Sequence, residues 1–317
     1  MIVFLLRTAG WLLAHAPETP LRWLAAALGR LIFVVMRRRR AVMLANLAAV
    51  FPGRTTGWHR ATARESYVRL VETGLLALAS PFLPTTRLRR MARLDAGAEA
   101  FFRELADHPR PIVLCSAHLA YWEALCWVPA LIDLKFPELA TIYRPLRNPA
   151  LNSWIVRTRG RFGVALLSRK SGIHSALHIL HRNGVINVLF DQNAGGHGTL
   201  TRFFGRRISM TELPALLAGK TGAELVFIGT RRTAFWRMEI FVRTVTHDST
   251  PAGMLGGLNL AFEDLLVADE EVCAGWLWAH DRWKINELPV QLAKLLAKRN
   301  LLEEDARFRA KFVGRGR

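Results

Sequence analysis

Four short apolar runs constrain this chain more than any other feature. PIVLC (111–115), LATIY (139–143), VINVLF (185–190) and AELVFIGT (223–230) are five to eight residues long, and turn formers or polar residues bound them. Continuous apolar runs of this length read as strands buried on both faces, the habit of parallel sheets. Helical periodicity fills the gaps at 148–158, 172–182 and 212–221. The same reading predicts further strands at 164–167 and 238–245. It predicts further helices at 39–51, 62–78, 98–107 and 256–269. Strands alternating with helices imply a single α/β domain with a central, mostly parallel sheet flanked by helices. In such sheets the chemistry gathers beyond the C-terminal ends of the strands. His118, Arg144 and Asp191 all fall at such ends.

Charge narrows the partners. The chain carries 44 Lys and Arg against 25 Asp and Glu, a formal net charge of +19. That excess draws polyanions: nucleic acid, an anionic bilayer, or a phosphorylated substrate. Ten Trp against three Tyr add modest weight to a membrane interface. The first forty residues carry most of that weight. Residues 2–13 are apolar apart from Arg7, Pro17 and Pro20 interrupt, and 21–36 are apolar again around Arg22 and Arg30. Arg37, Arg38, Arg39 and Arg40 follow at once. The second run falls short of the roughly 20 residues that cross a bilayer, although snorkelling arginines extend its reach. A cationic cluster abutting an apolar run marks a cytoplasmic flank and binds anionic headgroups. The expected layout is a membrane-anchor or interfacial helix with a basic flank over 1–40, a catalytic body over 41–300 and a basic tail over 301–317. An ordinary amphipathic helix packed on the body is the plainer alternative for 1–40. Cys115, Cys126 and Cys273 form neither a disulfide framework nor a paired metal spacing.

The segment SAHLAYWE (116–123) places His118 just past a buried strand and Glu123 five residues on. Proton removal from a hydroxyl needs a base that is neutral near pH 7 and a carboxylate that fixes its tautomer. Residues five apart on a regular helix point about 140° apart. The pair therefore meets only if His118 lies on the loop before the helix. A capping histidine beside a solvated glutamate accounts equally for the spacing alone. Tyr143 and Arg144 end the next strand, where an arginine can hold a phosphate or an oxyanion. A surface ion pair is the competing account. Arg157, Arg159 and Arg161 cluster around Gly160 and Gly163, either as a phosphate grip or as a basic helix end. Asp191 and Gln192 follow VINVLF, where a carboxylate serves a site or caps the next element. RFFGRR (202–207) reads as a loop covering a ligand, and WLWAHDRWK (276–284) as core packing with cation–π contacts.

Taken in order, HLAYWE, YRP, RGRFG, DQ, RFFG and WLWAHDRWK resemble the bacterial lipid A biosynthesis (late) acyltransferase family, lauroyl/myristoyl type. The resemblance runs from about residue 1 to 290. It implies a glycerolipid-acyltransferase-like fold and an N-terminal hydrophobic membrane-anchor helix. It makes His118, Glu123, Arg161 and Asp191 catalytic, with Glu123 orienting His118. Tyr143, Arg144, Arg159 and Gln192 become substrate-binding residues. The implied donor is an acyl carrier protein thioester, and the implied acceptor is a phosphorylated glucosamine disaccharide, the lipid A precursor. The implied place is the cytoplasmic face of the inner membrane, with the anionic membrane surface as a partner and nucleic acid as none. No cofactor and no metal is expected. An acyltransferase acting on another membrane lipid, and a basic membrane- or nucleic-acid-binding protein, are the alternatives.

Overall fold

The computed structural model describes residues 1–132 and 134–313. Nine strands form among them: β1 (Ala92–Leu94), β2 (Ile112–Ser116), β3 (Leu139–Tyr143), β4 (Ala165–Ser168), β5 (Val185–Leu189), β6 (Thr199–Phe203), β7 (Arg206–Met210), β8 (Glu224–Ala234) and β9 (Arg237–Thr244). Seven build one sheet in the order β1-β9-β8-β2-β5-β3-β4, and every pairing is parallel except β8 with β9. β2 lies at the centre, with Val113 opposite Ile186 of β5 and Leu225 of β8.

Alternation along the central strands divides the core in two. Val113, Cys115, Ile186, Val188, Leu225 and Phe227 face one layer of packed side chains. Ile112, Leu114, Val185, Val226 and Ile228 face the other. Both faces are covered, which is why these strands show no polar alternation in the sequence. Of the predicted elements, the strand at 139–143 matches to the residue, the helix at 148–158 is shifted by one at both ends, and the helix at 212–221 starts one residue later.

Among the strands, β1, β6 and β7 escape the reading by pattern. β1 is only three residues long. RFFGRR is not a covering loop but the tip of the β6–β7 hairpin. Phe204 and Gly205 at its turn both take positive φ, 48° and 70°, as a two-residue type I′ turn demands. Past the body, Leu302–Val313 is a helix whose Asp305 is buried and accepts from the Arg202 backbone N–H. The last residues of the expected basic tail, 314–317, lie outside the described residues.

The N-terminal segment departs from a single anchor. It forms α1 (Ile2–His15) and α2 (Glu18–Val35), parted at Pro17, and then α3 (Arg37–Val50), bent from α2 by 92°. Among the described residues no single helix is long and apolar enough to cross a membrane, although α2 and α3 together pass by length and composition. The physical reason is the charge at 37–40: it ends the apolar run two residues past Val35, so the chain turns there. Both α1 and α2 pack on α4 (Thr56–Ala79) through small residues. A Cβ on Gly10 would stand 2.3 Å from the Leu78 carbonyl oxygen, and one on Gly29 2.5 Å from Val68 Cα. The opposite faces of α1 and α2 leave Phe4, Leu5, Trp11, Trp23, Leu31 and Val35 exposed.

Candidate active site

The exits of β2 and β5 are adjacent, because the two strands pair in register up to Ser116 and Leu189. Phe190 extends the ladder by donating its N–H to the Ser116 carbonyl. Two residues past β2 stands His118, and two past β5 stands Asp191. His118 Nδ1 donates to Asp191 Oδ1 at 2.7 Å, and the His118 backbone N–H donates to Oδ2 at 3.0 Å. Trp276 Nε1 donates to the same Oδ2 at 2.8 Å. The buried carboxylate thus holds His118 by two bonds, one from the ring and one from the backbone, and is held in turn by the indole. Fixing the proton on Nδ1 leaves the Nε2 lone pair available, and Gln192 Nε2 points at it from 3.4 Å.

Charge stabilises this arrangement. Burial raises the Asp191 pKa, but the attraction to His118 and the hydrogen bonds from His118 and Trp276 outweigh it, leaving the group well below the usual carboxylate range. Burial lowers the His118 pKa. The charge and hydrogen bond of Asp191, with Glu123 beyond, outweigh that, so the imidazole lies above its ordinary value.

The loop bearing His118 is pinned by a buried network. Tyr121 adopts φ 59°, a strained conformation for a residue with a side chain. Its hydroxyl donates to Glu72 Oε2 at 2.6 Å and accepts from the Trp236 N–H, while its backbone N–H donates to Thr73 Oγ1. Arg232 closes the network on Glu72 with bonds of 2.7 and 3.1 Å. Thr230 Oγ1 holds the Ala120 carbonyl. After this turn the chain enters a 3₁₀ helix, Trp122–Trp127, whose first residues close over His118, with the Trp122 ring 5.3 Å from the imidazole.

Glu123 does not touch His118 in this arrangement. It forms a two-point ion pair with Arg159, at 2.7 and 2.5 Å. The carboxylate bound to the imidazole is therefore Asp191, and the expectation that Glu123 orients His118 gives way to it. Spacing favoured Glu123 because it is close in sequence, whereas Asp191 arrives from 73 residues away through strand pairing. Arg161 also departs from expectation. Its guanidinium donates to the Ser80 and Leu83 carbonyls and stacks on Phe162, tying its loop to the end of α4, and it does not line the cavity described next.

A cavity of about 800 Å³ opens at the strand exits. His118, Glu123, Tyr143, Arg144, Arg159 and Gln192 all line it. Its inner wall is apolar (Leu125, Ile142, Val188, Leu189), while Arg169 and Lys170 add positive charge beside Arg144. Cys126 lines it too. Burial pushes that thiol up to about 12, with Glu123 adding to the rise, so it stays protonated at ordinary pH. Among the described residues no group of three or more His, Cys, Asp or Glu could hold a metal ion.

The C-terminal WLWAHDRWK segment does more than fill the core. Besides Trp276, Leu277 donates its N–H to the His118 carbonyl, His280 Nε2 accepts from the Asn193 N–H at 2.8 Å, and Arg282 Nη1 donates to the Gln192 carbonyl at 2.6 Å. Burial drives His280 down to about 4 and Arg282 down to about 10, so His280 is a neutral acceptor at ordinary pH. Asn46 of α3 braces the segment through the Trp278 and His280 carbonyls. Pattern reading missed Trp276 and Asn46 as parts of the site. The one available signal was the density of donors in a segment too polar for plain core.

A sequence search of curated proteins gives no match. The family model described as bacterial lipid A biosynthesis acyltransferase matches residues 1–285, and the chain belongs to that family of acyltransferases.

Proposed function

We propose that this protein moves a fatty acyl chain from an acyl carrier protein thioester to a hydroxyl of a phosphorylated lipid A precursor, by direct attack and without an acyl-enzyme. The observation that carries this reading is the His118–Asp191 pair, whose remaining ring nitrogen serves a cavity with an apolar wall and cationic side chains. His118 Nε2 takes the proton of the acceptor hydroxyl as its oxygen attacks the thioester carbon. The carbon–sulfur bond then breaks, and the imidazolium returns the proton to the departing thiolate. Asp191 keeps the imidazole in the reactive tautomer and offsets its charge, as the carboxylate of a hydrolase triad does. Arg159, held by Glu123, faces the developing oxyanion, and Arg144 with Arg169 and Lys170 meets the phosphates of the acceptor. Tyr143 and Gln192 complete the cavity wall. Arg161 positions its loop rather than meeting substrate.

Exposed apolar residues on α1 and α2, with Arg7, Arg22 and Arg30 on the same helices and Arg37–Arg40 following, support a seat on the cytoplasmic surface of the inner membrane. The test is transfer of a radiolabelled acyl group from acyl carrier protein to a purified lipid A precursor. Transfer that depends on His118 supports the reading. Full transfer by His118→Ala ends it.

A further inference from the structure

A second cavity, of about 400 Å³, lies away from the strand exits, among α2, α4 and the helix Glu270–Gly275. That volume suits a small polar group. Buried Arg69 lines it and ties α4 to the other helix. Its Nε donates to Glu65 Oε1 at 3.1 Å, and its Nη1 donates to the Glu271 carbonyl at 2.7 Å and pairs with Glu271 Oε2 at 2.9 Å. Arg69 thus engages one oxygen of each carboxylate, and a carboxylate can accept at both. A third acid on the wall, Glu270, makes one ion contact among the described residues, to Arg54 at 3.8 Å.

Arg30 of α2 and Arg64 of α4 line the same cavity. Neither guanidinium forms a hydrogen bond or an ion pair among the described residues. Three arginines and three glutamates therefore share one space, yet two of the cations stay apart from the acids. A cavity built in this way offers no bias towards a simple anion. It suits a ligand that carries both signs.

Its location says which kind of ligand. At about 100° per residue, Leu21, Ala25 and Gly29 form the buried stripe of α2, and Trp23, Leu31 and Val34 form its exposed apolar face. Ala26 and Arg30 fall on the boundary between the two, and both border the cavity. The cavity therefore opens at the rim of an apolar helix face, the level at which headgroups meet an interfacial helix.

We propose that this cavity binds the headgroup of a phospholipid bearing a primary amine, a phosphoethanolamine. Arg30 and Arg64 take the phosphate, and Glu270, with the second oxygens of Glu65 and Glu271, accepts from the ammonium. The acyl chains leave over α2 along Trp23 and Val34. A headgroup with no amine brings its negative charge to three acids without offsetting them. A trimethylated amine has no N–H to donate. The site is separate from the His118 cavity and does not depend on the reaction assigned there.

The experiment is calorimetric titration of the full chain, in nonionic detergent, with dihexanoyl lipids that differ only in headgroup. The ethanolamine lipid saturates a single site, and the choline and glycerol lipids bind about tenfold more weakly, the scale of one lost charge-assisted hydrogen bond. Arg64→Gln weakens the ethanolamine lipid by about the same factor, and Arg30→Gln serves if that variant fails to fold. Glu270→Gln narrows the preference for ethanolamine over choline while leaving the affinity for the choline lipid unchanged. Equal affinity for the three headgroups overturns the proposal, as does unaltered binding in both Arg64→Gln and Glu270→Gln. Binding of sn-glycero-3-phosphoethanolamine, which has no acyl chains, as tightly as the lipid overturns the assignment to a lipid.

Discussion

At the scale of single residues, the proposed reaction rests on an imidazole whose two nitrogens have separate tasks. Nδ1 is committed to Asp191, which leaves Nε2 as the nitrogen for the acceptor. Replacing His118 with alanine is expected to lower the transfer rate by at least about 10²-fold, the lower end for a general base, in a protein that still folds but melts at a lower temperature, because the buried Asp191 carboxylate loses its ring partner. Asp191→Asn makes a sharper test. In the folded enzyme Asp191 holds the His118 pKa above its ordinary value against the opposing effect of burial. A base works only when neutral, so the acid limb of the pH–rate profile follows that pKa. Removing the carboxylate charge leaves burial to act, and the limb moves to lower pH while the maximal rate falls. An acid limb that stays in place would show that another group limits the rate. Had sequence spacing been the guide, Glu123 would have been chosen for this experiment. Glu123→Gln is instead expected to release Arg159 and lower the rate, moving the limb to lower pH by less than Asp191→Asn does, because Glu123 is the lesser of the two charges that raise the His118 pKa.

At the scale of elements, the loop between β2 and the Trp122–Trp127 helix holds a strained Tyr121 in place through α4 and β8. Tyr121→Phe keeps the backbone strain and removes the hydroxyl that joins Glu72 to the Trp236 N–H. Loss of that bridge leaves a buried donor unpaired, which costs about 1–3 kcal/mol in urea unfolding. Activity falls further than stability, because His118 lies three residues away on the same loop. The packing of α2 on α4 has a comparable weak point. Gly29→Leu forces α2 off Val68, since even a Cβ there would stand at 2.5 Å. Thermal unfolding at a lower temperature is the expected result. None of these contacts has a signature in local sequence: Glu72, Tyr121 and Arg232 are separated by 49 residues or more, and only the fold brings them together.

At the scale of the whole molecule, a chain of net charge +19 exposes apolar residues along α1 and α2, just before the Arg37–Arg40 cluster in sequence. Binding to anionic vesicles is expected to weaken in high salt through screening, and to weaken at all salt concentrations in a Phe4→Glu, Trp23→Glu double variant. Co-sedimentation measures both. A double variant that pellets with vesicles as well as the unsubstituted protein would remove α1 and α2 from membrane docking. The sheet places the exits of β2, β5 and β3 side by side, so one cavity collects residues from six separate stretches of the chain.

The sequence by itself determined the class of fold, because aliphatic runs of strand length can be buried on both faces only in a covered parallel sheet. It also determined that His118, Arg144 and Asp191 lie at strand ends, since the runs stop just before them. Which groups touch was decided by tertiary structure. Strand order brings β5 beside β2 and so gives His118 its carboxylate from Asp191, while Glu123 swings to Arg159 and Arg161 to the end of α4. The bend at Met36 and the burial of Trp276 were settled the same way. Such contacts depend on the register of distant segments, and no periodicity within one segment encodes that register.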